Sequence, residues 1–198
     1  MQFLNFIVPS ITQFYIVLFL IKFWIQWNNI NIQNFFLQFI MKSTDFISEK
    51  IYSIFPMKIL RKKLSSLIIS YMFVCIHMMF TFWIENYFQL INKISILIIS
   101  MIQLATYFGK IIFWLVVGRI LLNWKKNICH PMLETINSLI QPIILKISKI
   151  TSNYNGDYFS YVIIILTLMS LNYLRMDLIS LIDSRAANII SSYHRSNT

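Results

Sequence analysis

Twenty-one consecutive residues, Leu64 to Ile84, carry no charged side chain. A helix crosses the roughly 30 Å hydrocarbon core of a bilayer with about 20 apolar residues, so this run reads as a membrane span. Trp83 and Tyr87 suit the interface at its far end. A chain built around such runs must bury them in lipid, and three more segments have the same character. Met1 to Ile21 is also charge-free. It lacks the basic start and small-residue cleavage site of a signal peptide, so it reads as part of a span at about 10–27, opening at Pro9-Ser10. Ile94 to Trp124 is apolar but interrupted by Gly109-Lys110. As one straight helix it would be about 46 Å long, which exceeds the core. The expectation is a span at about 105–124, with 88–104 as its interfacial or extended beginning. Tyr158 to Leu174, extending to Ile182, gives the fourth span, at about 158–182.

Two intervening segments alternate with a helical period. Over 34–55, Phe36, Ile40, Ile47, Ile51 and Ile54 fall near one face, and Lys42, Asp45 and Glu49 near another. Over 131–150, Pro131 opens a second such segment with Met132, Ile136, Ile140, Ile143 and Ile147 on its apolar face. Pro142 is expected to kink or break it. Helices of this kind lie most simply in the membrane interface. The predicted fold class is therefore all-α, a polytopic membrane protein with four transmembrane helices and two interfacial amphipathic helices. The polar residues 184–198 read as a mobile tail.

Composition agrees: 58% of residues are apolar and 12% charged, against about 25% charged in soluble domains. Mean hydropathy is +0.66. A soluble enzyme and a disordered chain are both excluded. The 39 Ile, 15 Asn and 12 Lys, against 3 Ala, 3 Gly and 5 Arg, show a bias toward residues with AT-rich codons. A single Ile, Asn or Lys therefore carries little weight. The net charge of +10 has a topological reading. Six cations lie in 28–63 (Lys42, Lys50, Lys58, Arg61, Lys62, Lys63) and four in 125–157 (Lys125, Lys126, Lys146, Lys149). The other side has Lys93, Arg175, Arg185 and Arg195. By the positive-inside bias both long loops are expected in the cytoplasm and both termini outside it. No nucleic-acid partner is expected, since no basic–aromatic binding motif or Cys/His finger is present.

The chain repeats itself at a spacing of 97 residues. Lys22-Phe-Trp-Ile-Gln-Trp27 lies over Arg119-Ile-Leu-Leu-Asn-Trp124. Each copy continues into an amphipathic segment and a second span. This gives two parallel repeats, 1–88 and 89–183, starting from the same side of the membrane.

These segments resemble the YggT family of bacterial inner-membrane proteins. The likeness covers about 10–85 and 107–182. Tyr15 to Trp27 is similar to the family's first helix and Phe113 to Trp124 to its third, while Pro56 and Pro142 fit the interfacial stretches. The family's paired arginines stand here as Tyr52-Ser53 and Ser148-Lys149, and its second proline as Lys146. Its Asp-x-Ser-Pro entry is blurred to Asp157-Tyr-Phe-Ser160-Tyr161. The resemblance implies a role tied to osmotic tolerance and potassium uptake, or to cell division. For plastid relatives it implies cytochrome assembly or organelle division.

Lys22, Trp27, Arg119 and Trp124 are candidates for contact with lipid or a partner, as are Arg61, Lys62, Lys63, Lys146 and Lys149. For Lys22 and Arg119, snorkelling to the interface is the simpler reading and a place beside an ion path the sharper one. His77 is an isolated intramembrane polar group. Packing with a bond to Ser, Thr or Asn on a facing helix is preferred over a proton relay or haem ligand. Cys75 and His77 point to different faces, and Cys129-His130 is poor geometry for a metal, so free thiols and no metal or cofactor are expected. Glu85, Asp177 and Asp183 read as solvated helix ends rather than a cation-attracting cluster. No phosphate loop or catalytic triad is identifiable, and no enzyme activity is expected.

Two functions remain. The first is a scaffold or assembly factor whose basic interfacial helices contact anionic lipid. It would act with a membrane-protein partner or as a homo-oligomer. The second is an oligomeric ion (potassium) uptake component, its path lined by Thr12, Gln13, Gln26, Gln103, Thr106, Thr167 and Asn172.

Overall fold

A computed structural model describes residues 2–32, 34–54, 62–84, 91–124, 131–150 and 157–196. The described residues form helices and no strands: α1 (Gln2–Asn28), α2 (Phe35–Ile54), α3 (Lys62–Ile84), α4 (Lys93–Trp124), α5 (Pro131–Ile150), α6 (Asp157–Ile182) and α7 (Ser184–Ser196). Four of them are long and apolar enough to cross a membrane, over Ile7–Asn28, Leu64–Ile84, Lys93–Leu122 and Tyr161–Ile182.

α1 and α3 are antiparallel and closely packed. Phe73 stacks on both Tyr15 and Phe19 at 5.8 Å, and Ser66 Oγ donates to Gln26 Oε1 at 3.0 Å. α1 stops at a left-handed residue, Asn29, with φ of 51°. The Ile30 amide donates back to the Ile25 carbonyl at 3.1 Å. This is the Schellman arrangement, and Asn tolerates its positive φ better than most side chains. The turn redirects the chain into α2, whose Leu37 joins Ile25 and Leu139 of α5 in one small core. A larger core gathers Ile16, Val74, Phe82, Ile99 and Ile179 with residues of α7, and a third joins α4, α5 and α6 through Val116, Ile140 and Ile164.

Several expectations are corrected. The third hydrophobic region is one continuous helix from Lys93, so 93–104 belongs to the same helix as 105–124. Asn92 caps it, its Oδ1 accepting from the Ile94 amide at 3.2 Å. Gly109 does not break the helix, because it lets α6 approach: a Cβ there would stand 3.2 Å from Leu168 Cδ2. α1 begins before Pro9 rather than at it. α5 runs through Pro142 unbroken. Pro142 has no N–H, so the Ser138 carbonyl loses its usual donor four residues on. At the adjacent turn the indole N–H of Trp24 donates to the Leu139 carbonyl at 2.9 Å, tying this part of α5 to α1.

The stretch from Ser184 is not a mobile tail over its described part; it is the amphipathic helix α7. Asp183 Oδ1 accepts from the amides of Arg185 (3.0 Å) and Ala186 (3.3 Å), an N-cap that starts the helix. Ala186, Ala187, Ile189 and Ile190 then fall on one face and are buried in the core.

Candidate functional site

Lys22 lies on the face of α1 that meets α2. It is 2% exposed. Its Nζ donates to Asp45 Oδ1 at 2.8 Å and to Ser48 Oγ at 3.0 Å, and lies 5.8 Å from the Phe19 ring centroid. Asp45 and Ser48 are three residues apart on α2, so they share a face. Ser48 Oγ passes its own proton to the Thr44 carbonyl at 2.8 Å. The snorkelling expectation for Lys22 is therefore corrected: a carboxylate within reach satisfies the ammonium more fully than a detour to the head groups. Counting 97 residues on from Asp45 gives Pro142. Arg119 has no carboxylate at that matching position and instead lies over the Tyr161 ring at 5.4 Å.

The other candidates are dispersed. Trp27 is half exposed and touches Phe23. Lys146 is exposed on α5. Arg61 and the side chains of Lys62, Lys63, Trp124 and Lys149 lie outside the described residues, as do Glu85, Cys129 and His130. Cys75 is a free thiol. Asp177 is exposed, while Asp183 is engaged as the cap of α7.

His77 is buried, with Nδ1 3.2 Å from Thr12 Oγ1 on the facing helix and its ring edge-on to Tyr107 at 6.5 Å. The Thr12 hydroxyl lies 2.9 Å from the Pro9 carbonyl and 3.0 Å from that of Val8. With its proton given there, the oxygen accepts from His77, which makes Nδ1 the protonated nitrogen. Thr12→Val is expected to cost about 1 kcal/mol, the scale of interhelical bonds in membranes. Equilibrium unfolding in bicelles checks this, and no change would remove the bond from the account.

A groove of about 980 Å³ lies between α1 and α4, closed at one end by the starts of α2 and α5. Phe14, Val17 and Ile21 form one wall, and Ile111, Trp114 and Leu115 the other. Along α1 it runs from Ser10 to Ile21, about 16 Å of helix. Gly118 lines it, and a Cβ there would stand 3.3 Å from Ile136 Cδ1 of α5. Below it Trp24 packs on Phe108 at 5.2 Å and holds α5 through Leu139. A second cavity, of about 450 Å³, lies between α4 and α6 and is lined by both Lys110 and Arg175. Arg175, counted above as a loop cation, is 8% exposed within α6. Sequence reasoning missed Trp24, Asp45 as a partner, and this cation pair. Only Lys110 and Arg175 had a local signal, as cations inside apolar runs.

The helices and their apolar faces define an all-helical, multi-pass membrane protein. A protein of Escherichia coli K12 named "Uncharacterized protein YggT" is 24% identical over 172 residues, covering 87% of this chain and 88% of its own. A Vibrio alginolyticus protein named "Uncharacterized protein in proC 3'region" is 21% identical over 179 residues, 90% of this chain and 96% of its own. No protein-family model and no solved structure matches the chain. The chain is thus similar to the first of these proteins over most of its length.

Proposed function

We propose that the chain is a non-enzymatic scaffold or assembly factor of a bacterial inner membrane, and that the α1–α4 groove receives an apolar transmembrane helix of a partner. The groove carries this reading. It is large, apolar and long enough for about three helical turns of a partner. Gly118 lets α5 approach α4 at the closed end of the groove, as small residues do where membrane helices pack closely. On this reading α2 and α5 lie on the cytoplasmic leaflet and both termini face away from it. Support comes from Phe35, Phe36, Phe39 and Phe46 of α2, all exposed beside exposed Lys42 and Lys50. The Lys50 ammonium sits 4.5 Å over the Phe46 ring, a posture suited to an anionic head-group layer. A duplication of one span–helix–span unit fits the order of α1 to α6.

Potassium uptake is the weaker reading. Of the candidate path residues, Thr106 and Asn172 share the α4–α6 cavity, while Gln13 lines the separate α1–α4 groove. Thr106 and Thr167 bond to carbonyls of their own helices, and Gln26 is engaged by Ser66. Lys110 and Arg175 place positive charge inside the spans, which opposes a cation. Purified protein in potassium-loaded liposomes is expected to give no flux above empty liposomes. Flux lost with Lys110→Gln would reverse the preference. Filling the groove with Val17→Trp should abolish co-purification of the partner in mild detergent, while Leu166→Trp on the exposed face of α6 should not.

A further inference from the structure

The α4–α6 cavity presents donors that the described residues leave unmet. Lys110 and Arg175 both line it. Arg175 is more than nine-tenths buried, at 8% exposed. Its Nε and Nη1 have no hydrogen-bond partner among the described residues, and Nη2 reaches only Met176 Sδ at 3.5 Å. The Lys22–Asp45 ion pair engages neither cation. Asp177, two residues on, stands about 200° further round the helix and faces away. A buried guanidinium without an acceptor is strongly unfavourable, so an acceptor beyond the described residues is called for.

Depth indicates which acceptor. Leu168 of α6 lies against Gly109 of α4, and the two helices are antiparallel. Seven residues along each from that contact, Arg175 stands level with Ile102 and Gln103, whose Oε1 is also buried without a partner among the described residues. Measured back about 20 residues from Leu122, the far boundary of the core falls near this level on α4, while the apolar run of α6 continues seven residues past Arg175 to Ile182. Lys110 lies about 10 Å deeper along α4 and lines the inner part of the same cavity. The side walls, Leu171, Leu174 and Leu178, are about half exposed, so the cavity opens toward lipid chains.

We propose that this cavity binds the phosphate of an anionic phospholipid in the leaflet on the α7 side. Arg175 supplies paired N–H donors, Lys110 a point charge, and the leucine wall takes an acyl chain. Lys110 lines the α1–α4 groove as well, so Arg175 is the donor that belongs to this cavity alone.

Native mass spectrometry of the full chain tests it, with phosphatidylglycerol, phosphatidylcholine or inorganic phosphate added to the micelles. Wild type is expected to retain one phosphatidylglycerol selectively. The double variant Lys110→Gln/Arg175→Gln should weaken retention roughly tenfold or more, with Arg175→Lys intermediate and the exposed Lys93→Gln unchanged. Should the double variant misfold, Leu171→Trp/Leu178→Trp, which fills the cavity without touching its charges, is expected to expel the lipid. Equal retention of phosphatidylcholine, displacement of the lipid by millimolar phosphate, or retention by the cavity-filled variant would each overturn the proposal.

Discussion

Asp45→Leu is expected to destabilise the protein by about 2–3 kcal/mol, because it strands a buried ammonium between α1 and α2. Breaking a fully buried pair costs about 3–5 kcal/mol. The lower figure follows from the geometry: the Lys22 side chain is 3% exposed but that of Asp45 is 52% exposed, so water already screens one partner. Lys22→Met should cost less, since it leaves a carboxylate that α2 can turn outward. The double variant Lys22→Met/Asp45→Leu is expected within about 1 kcal/mol of wild type, as apolar replacements of buried pairs commonly are. Equilibrium unfolding in bicelles gives the coupling directly. If the two single losses simply add, Lys22 and Asp45 act separately and the ion pair is not what holds α2 to α1.

Trp24→Ala is expected to be the most damaging single change outside the interior of the two largest cores. Its indole packs on Phe108 of α4 and donates to Leu139 of α5. Truncating a fully buried Trp costs about 3–5 kcal/mol, and for the partly buried Trp24 about 2–4 kcal/mol is expected. Trp24→Phe keeps most of the packing and loses the hydrogen bond, so about 1–2 kcal/mol is expected for it. The two losses should also differ in kind. The alanine variant should loosen α1 from α4, raising amide exchange near Phe108, whereas the phenylalanine variant should raise exchange only around Leu139 and Pro142. Matching exchange patterns in the two variants would assign Trp24 a packing role alone.

The spans and the two connecting helices were legible because they are written in local composition. Charge-free runs mark α1, α3, α4 and α6, and a 3.6-residue apolar period marks α2 and α5. Elements that depend on partners distant in the chain were not legible. α7 is polar on average, and only the spacing of Ala186, Ala187, Ile189 and Ile190 betrays its buried face. Pro142 argues locally for a break, yet a bond from Trp24, 115 residues earlier in the chain, lies at the adjacent turn. Lys22 was legible as a cation near a helix end, but a snorkelling lysine and a paired lysine have the same local sequence. Only the fold brings Asp45 within 2.8 Å. Arg175 was misread for a related reason: its nearness to the end of α6 hides its inward orientation. The groove has no sequence signal at all, since it arises where α1 and α4 fail to touch.

Site-specific photocrosslinking in living cells tests the scaffold reading most directly. A photoreactive phenylalanine analogue would replace Phe14 or Trp114 on the groove walls, and Leu166 on the outer face of α6. The account predicts one discrete protein adduct, the same from Phe14 and Trp114, lost when Val17→Trp fills the groove, and absent from Leu166. Adducts to lipid alone at both groove positions, or the same protein adduct from Leu166, would contradict it.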